Sequence, residues 1–401
     1  MFGNRKGNLV MKITKIDLLH AYPVEDGWRP LFVRVYTDEG IYGDGEAALS
    51  YGDVDEAAFG MLKNMAPMLI GMDPLDHEVI WDKLYHSCFW GLNGGTVVFA
   101  GISAFDIALW DIKGKKFNVP LYKLLGGKLR PKLRAYASQL QNGWEGNRHP
   151  GGPVEDYREA AREAVRRGFD AVKFNFTTFR EDGTRYVHNE QAPYMDHAYL
   201  NVVESRIKAV REVLGPNGDI ILENHCYTDK QSAVRMGNMA KKYDIMYFEE
   251  PVAPHGELLR YVHEETGLPV ASGERMYSRW QFKERMDQEA IQVIQPDVGT
   301  CGGITEVKKI CDMAYVYETA VQIHVCGSPL VTAASLHLEA VIPGFIIHEY
   351  NVNTAMSKMT GLTKYDCQPV HGYMEIPERP GIGNEIADQT FANSEVVTIG
   401  E

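Results

Sequence analysis

Asp219–Thr228 reads DIILENHCYT, and the way this stretch ends decides how the rest of the chain is read. An apolar run, Ile220 to Leu222, stops on a carboxylate and an imidazole two residues apart. If the run is a strand, its period of two puts Glu223 and His225 on one face. A charged pair at the mouth of a buried strand is costly unless something compensates it. Taken alone, the plainer reading is a strand running out into solvent. What displaces that reading is the recurrence of the same ending downstream.

From Pro131 onward strand and helix patterns alternate. KLRAYAS is followed by the helical VEDYREAAREAVRRGF, AVKFNF by a helix near Ala198–Leu214, and DIILEN by AVRMGNMAKKY. The alternation continues through IMYFEE, LPVASGE, IQVIQPD, AVQIHV and GFIIHEY, with helical LLRYVHEET, QFKERMDQEA, ITEVKKICDMAYVYE and PLVTAASLHLEAV between them. Strands separated by helices in this way mark βαβ units, and eight parallel strands close into a barrel. The strands end on Lys173 and Asn175, Glu223 and His225, Glu249, Glu274, Asp297, His324 and Glu349. From Glu223 the intervals are 26, 25, 23, 27 and 25 residues, one βα unit each. Polar endings in register fall at the carboxyl ends of the strands, where barrel enzymes keep their chemistry.

Upstream, MKITKIDLLHAYP and LFVRVYTDEGIYGDGEA predict three antiparallel strands with Asp38-Glu39-Gly40 as a turn. DVDEAAFGMLKNMAPMLIG, DHEVIWDKLYHSCF and the segment from Gly94 carry helical spacing. The expected fold class is α/β: a modified (β/α)8 TIM-like barrel over residues 129–359 with an N-terminal α+β capping domain over residues 1–128. A Pro- and Gly-rich tail, about 360–401, is expected to complete the cap. Residues 177–200 are too long and polar for a βα loop and are expected to cross the barrel mouth as a lid.

The composition is that of a globular chain: 401 residues, 45% hydrophobic and 24% charged, with a formal charge of -13. That acidity argues against a nucleic-acid partner or an anionic membrane surface, since either needs a basic face. A bound divalent cation would still let the protein take an acidic metabolite. Six dispersed cysteines without CxxC spacing fit reduced thiols better than a disulfide framework or a zinc ribbon. MFGNRKGNLV lacks the apolar core of a secretory signal, Met11 is a candidate natural start, and TVVFAGISAF stops at Asp106, short of a membrane span. A cytoplasmic protein is expected.

Glu223, Glu249 and Glu274, at the ends of neighbouring strands, would repel one another across the mouth and so demand a cation. Ligation by carboxylate oxygens alone suits a hard divalent ion, Mg²⁺ before Mn²⁺. The alternative is that some of them pair with Arg or Lys, Arg275 being the nearest in sequence.

FEEPV (Phe248–Val252), SGERMYSR (Ser272–Arg279), IQPDVGTCGGITE (Ile294–Glu306), QIHVCGSPL (Gln322–Leu330) and HEYN (His348–Asn351), in that order, resemble the enolase superfamily. Within it the chain looks most like the mandelate racemase subgroup and the sugar-acid dehydratases of the galactonate dehydratase type. The likeness runs from about residue 11 to the C-terminus and includes GISAFDIALWDIKGK in the cap. It implies that Glu223, Glu249 and Glu274 hold one Mg²⁺ per subunit and that Asp297 orients and charges His324, the base for a C2 proton. His225, as imidazolium, would protonate the departing C3 hydroxyl, and Glu349 would hydrogen-bond the substrate carboxylate. The implied reaction turns an aldonic acid into a 2-keto-3-deoxy acid, the metal taking up charge as the enediolate forms. The implied partner is a small sugar acid, and the implied assembly a homo-oligomer.

Two positions depart from the pattern. Relatives usually carry Asp where this chain has Glu223, one methylene longer. KxK is common where this chain has Lys173-Phe174-Asn175, so Lys173 and Asn175 are expected to bind substrate, with a salt bridge at the strand end as the other reading of Lys173. GTCGGITE reads as a tight βα loop with Thr305 as N-cap, or else as an anion cradle. Trp28 and Trp90 could line the pocket. His149, His188, His255 and the other remaining histidines read as surface or core groups, with His255 the most interesting. Two further functions fit the same residues: racemisation or epimerisation at C2, and sugar-acid binding or regulation with little turnover.

Overall fold

The computed structural model describes residues 11–22, 27–144, 151–186, 194–352 and 359–401. Its N-terminal strands β1 (Ile13–Ala21), β2 (Leu31–Thr37) and β3 (Tyr42–Ala47) form an antiparallel meander. Gly40 supplies the positive φ, +74°, that lets the β2–β3 turn close. Helices α1 (Asp55–Met65), α2 (His77–Ser87) and α3 (Thr96–Phe117) cover the sheet, with short α4 (Leu121–Leu124) leading out. Ile16, Leu18, Val33 and Val35 pack against Phe59, Leu62, Phe105 and Ile112 in this core. The contact of β3 with α3 is so close that a Cβ at Gly45 would stand 1.9 Å from the carbonyl oxygen of Ala104.

Strands and helices then alternate: β4 (Lys132–Ser138), α5 (Val154–Arg166), β5 (Ala171–Asn175), α6 (His197–Leu214), β6 (Asp219–Glu223) and α7 (Lys230–Ala240). The series continues through β7 (Ile245–Glu249), α8 (Gly256–Thr266), β8 (Val270–Ser272), α9 (Ser278–Asp287), β9 (Val293–Ile294), α10 (Gly303–Val316), β10 (Ala320–Val321), α11 (Pro329–Val341) and β11 (His348–Asn351). Each of these strands lies parallel to its sequence neighbour, and β11 returns beside β4. The ring closes where Val321 N donates to Gly344 O at 2.9 Å and Ile346 N to Val321 O at 3.0 Å. Tyr136, Ala171, Ile221, Tyr247, Ala271, Val293 and Ile347 fill its interior. This is the expected barrel with its expected cap.

The tail carries β12 (Tyr373–Glu375), which pairs with the start of β4, then α12 (Asp388–Ala392) and β13 (Ser394–Gly400). β13 joins β1 as the fourth strand of the N-terminal sheet. The sequence reading brings this tail back to the cap but does not see the strand, because SEVVTIG is an edge strand whose residues are mostly exposed or half-buried.

One local expectation is overturned. Helix α10 starts at Gly303 with Gly302 as its N-cap, and no side chain of its own segment caps it. Ser103 Oγ accepts from Gly302 N at 2.8 Å and Gly303 N at 2.9 Å, while Asp106 Oδ2 accepts from Thr305 N at 2.9 Å. The caps come from α3, and the group in the cradle is the protein's own Asp106 carboxyl. Of the expected lid, residues 177–186 form a small hairpin bridged at Phe179 and Arg185. Residues 187–193 lie outside the described residues, as do residues 1–10, His149 and His188. Trp90 is 90% exposed, whereas the Trp28 ring lies 4.5 Å from the Tyr51 ring, tilted by 30°. All six cysteines are unpaired. Among the described residues no helix is long and apolar enough to cross a membrane.

Candidate active site

Hydrogen bonding of β5, β6 and β7 sets Asn175 opposite Glu223 and Glu223 opposite Glu249. Glu274 follows β8 by two residues, Asp297 and His324 bridge one another beyond β9 and β10, and Glu349 lies within β11. The nine sequence-predicted residues therefore meet at the carboxyl end of the ring.

Lys173, 1% exposed, is the hub of the carboxylates. Its Nζ lies 3.2 Å from Glu223 Oε2 and 3.0 Å from Glu349 Oε1, and it contacts Glu249 Oε1. Burial alone would favour neutral lysine, but Glu249, Glu349 and Glu223 outweigh it and raise the ammonium well above its usual range. Burial and the neighbouring charge of Glu223 push the Glu249 carboxyl up to about 8. Glu349 goes the other way: despite burial, Lys173 and His324 hold it down to about 2, with Ser138 Oγ donating at 2.7 Å and Val325 N at 3.2 Å. Arg275 Nη1 contacts both Glu274 and Glu250, so pairing with Lys and Arg is present here.

His324 gives Nδ1 to Asp297 Oδ2 at 2.7 Å and turns Nε2 toward Glu274 Oε2 at 3.4 Å. Burial opposes its charge, yet Glu274, Asp297 and Glu349 lift the imidazole to about 10. His225 is the reverse case, lowered to about 3 by burial and by the charges of Lys173 and Arg275. Hydrogen bonding gives the same answer. Asn175 Oδ1 accepts from Thr177 N at 2.9 Å, which leaves the Asn175 amide N–H to donate to His225 Nδ1 at 2.8 Å. Gln141 accepts from Asn175 N and donates to Gln139 Oε1, which turns the Gln139 amide nitrogen toward His225 Nε2 at 3.3 Å. Donors face both ring nitrogens, so the ring is neutral, with its proton on Nε2 opposing Gln139. Asn175 thus touches His225 directly.

Gln139 and Gln141, along with Ser138, escaped the sequence reading. The strand-end rule applied to β4 finds them, since ASQLQN is the polar ending of the first barrel strand.

Glu223 Oε2 and Glu249 Oε2 are buried and receive no hydrogen bond. Ligand atoms of Glu223, His225 and Glu274 lie within 4.8 Å of one another, with His225 in the set where the sequence reading has Glu249. Buried carboxyl oxygens left without a hydrogen bond, Glu223 Oε2 having only the Lys173 ammonium 3.2 Å away, fit a hard divalent cation. A second such group, His20, Asp55 and Glu56 in the cap, already has Arg29 3.6 Å from Asp55 as its cation.

Residues 28–126 match the mandelate racemase/muconate lactonizing enzyme N-terminal domain, and residues 156–390 match the enolase C-terminal domain-like family. The D-xylonate dehydratase of Haloferax volcanii is 33% identical, over 89% of this chain and 84% of that protein. The D-galactonate dehydratase of Xanthomonas euvesicatoria pv. vesicatoria is 32% identical, over 94% of this chain and 93% of that one. The crystal structure of a member of the enolase superfamily from Salmonella Typhimurium shares a TM-score of 0.94 at 44% identity, over 97% of this chain and 100% of that one.

Proposed function

The chain belongs to the mandelate racemase/muconate lactonizing enzyme family of enolase-like proteins, and on that premise we propose that it is a carbon–oxygen lyase that dehydrates an aldonic acid to a 2-keto-3-deoxy acid. The observation that carries the reading is the placement of two histidines. His225 follows β6 and His324 follows β10, four strands apart in a ring of eight, which sets the two residues on opposite sides of the mouth.

In this reading Glu223, Glu249 and Glu274 would hold one Mg²⁺ per subunit. The ion would offset the negative charge that builds on the substrate carboxylate as the C2 proton leaves. His324, its Nδ1 committed to Asp297, would take that proton at Nε2 in its neutral form, which an ion engaging Glu274 would favour, since Glu274 is the largest of the charges that raise the imidazole. His225 presents Nε2–H to the C3 hydroxyl, where an oxygen acceptor would relieve the opposed donor of Gln139. The anionic substrate also supplies the negative charge that favours protonating His225. Glu349, ionised and supplied with donors, fixes its end of the substrate through Lys173 and Ser138. Asn175 binds near the substrate chiefly by holding His225. The proposed units are residues 1–128 with about 360–401 as cap and residues 129–359 as catalytic barrel, and β13 pairing with β1 supports this division. A cytoplasmic homo-oligomer acting on a small sugar acid completes the proposal.

The test is a library of aldonic acids incubated with the protein and Mg²⁺ in D₂O. Keto-acid formation, lost in His225→Asn and His324→Asn, is expected. Deuterated epimers without keto acid would make the protein an epimerase instead.

A further inference from the structure

Glu46, near the end of β3, is fully buried although it belongs to the cap and not to the barrel. Its Oε1 accepts from Ser328 N at 2.9 Å, and its Oε2 from Ser328 Oγ at 2.5 Å and Val331 N at 3.3 Å. Ser328 is the N-cap of α11 and stands four residues after His324. Two residues further along the same cap segment, Ala48 N donates to Gly299 O at 3.1 Å, and Gly299 N in turn donates to Asp297 Oδ1 at 2.6 Å. One short run of the cap therefore grips both loops from which Asp297 and His324 project, through the Glu46 side chain on one and the Ala48 backbone on the other.

The loops are shaped to admit it. A Cβ at Gly299 would stand 2.5 Å from Ala48 Cβ, and a Cβ at Gly327 would stand 2.5 Å from Val331 Cγ1 and 3.0 Å from Glu46 Oε1. Between the grip and the imidazole the loop is also tethered by Val325 N, which donates to Glu349 Oε2 at 3.2 Å, and by Cys326 Sγ, which meets Tyr51 OH at 3.8 Å and Asn351 Nδ2 at 3.6 Å. A base must hold its proton acceptor to within a fraction of an ångström of the reacting atom, and misplacement at a distance is costly to rate.

We propose that Glu46 is a positioning residue for the His324–Asp297 pair, acting from the cap by fixing the loop that runs from His324 to Ser328. This rests on the reading of His324 as the base. It makes the geometry of the barrel's base depend on how the cap is docked, so the cap contributes to the chemical step as well as to enclosure.

The experiment compares Glu46→Ala, Glu46→Asp and Glu46→Gln with Asp111→Ala. Asp111 is an equally buried cap carboxylate that accepts from Asp44 N and Ile382 N and touches neither loop. With an acid that the wild type turns over, Glu46→Ala and Glu46→Asp are expected to lower kcat at least tenfold with KM within threefold. Glu46→Gln, whose carbonyl can still accept from Ser328 N, recovers most of the rate. Asp111→Ala lowers the melting temperature but leaves kcat unchanged. In the resting protein, amide hydrogen exchange over residues 325–331 should quicken at least tenfold in Glu46→Ala and Glu46→Asp, and not in Asp111→Ala. Faster exchange without a fall in kcat, a fall in kcat without faster exchange, or parallel losses of kcat in the Glu46 and Asp111 variants would overturn the proposal. If Glu46→Ala does not fold, Glu46→Asp decides alone. If the wild type turns over no acid, the functional reading fails, and the exchange measurement still judges the grip of Glu46 on the loop.

Discussion

Asp297 and His324 are joined twice, as backbone partners in a parallel bridge and through Asp297 Oδ2 and His324 Nδ1 at 2.7 Å. The bridge fixes the two Cα atoms, and the side-chain bond fixes the ring, so Nε2 can face only the mouth of the barrel. A general base arranged in this way contributes about 10² to 10⁴ in rate. His324→Asn should therefore abolish exchange of the C2 proton with D₂O. Asp297→Asn should slow it by a factor in that range while KM changes less than threefold. Measured exchange by NMR that is unaltered in either variant would remove the pair from the chemistry.

Lys173 is the only ammonium group in contact with Glu223, Glu249 and Glu349 among the described residues. Removing one partner of a buried ionic cluster costs about 3–5 kcal/mol, because the remaining charges are left uncompensated. Lys173→Met should lower the melting temperature sharply without divalent ion, and millimolar Mg²⁺ should restore part of the loss. In the wild type a hundredfold excess over Kd should add about 2.7 kcal/mol of stability, and Glu249→Gln should lose that gain. Scanning calorimetry with and without Mg²⁺ reads both. A melting temperature indifferent to Mg²⁺ in the wild type would exclude the proposed ion.

Period and spacing made the barrel legible because a parallel barrel imposes them: each strand must end at the same height, so each polar ending recurs after one βα unit. The nine residues read from strand ends do converge. The sequence could not show what depends on side chains crossing between distant elements. Lys173 as the hub of three carboxylates, the neutral state of His225 and the trans caps from Ser103 and Asp106 onto α10 are all of this kind. Thr305 is a reasonable N-cap by local rules, yet its Oγ1 donates to Asp106 at 2.5 Å, 199 residues away in sequence, and local rules have no access to that partner. β13 failed for another reason, since an exposed edge strand has little apolar alternation to read.

Asp106 ties stability to pH. Burial raises its carboxyl from an ordinary 3.8 to about 7, against the bonds it accepts from Thr305, with Glu78 adding to the rise. Because the folded value lies above the unfolded one, its contribution is complete below about pH 3.8 and is lost as pH rises through about 7. A shift of that size corresponds to about 4 kcal/mol at most. Asp106→Asn, which cannot ionise but can still accept from Thr305 N, should gain stability relative to the wild type progressively between pH 4 and 8. Thermal melts across that range check it. Parallel curves for the two proteins would show that the carboxylate is tolerated in its charged form.

Glu223 divides its carboxylate between two tasks. Oε1 accepts from Asn224 N at 2.8 Å and His225 N at 2.7 Å, while Oε2 receives no hydrogen bond and faces Lys173. The turn held by Oε1 is unusual, with His225 at φ +46° and Cys226 at φ +59°, two successive non-glycine residues in the left-handed region. Each such residue costs about 1–2 kcal/mol that the surroundings must offset. The extra methylene of glutamate lets one oxygen reach back to the turn while the other stays in the mouth; aspartate would have to choose. Glu223→Gln should therefore keep the turn, measured as slow amide exchange at Asn224 and His225, and lose the Mg²⁺-induced rise in melting temperature. Glu223→Asp should quicken exchange at one of the two amides and weaken Mg²⁺ binding at least tenfold. If Glu223→Asp binds Mg²⁺ as the wild type does with both amides still protected, the longer side chain has no task of its own at this position.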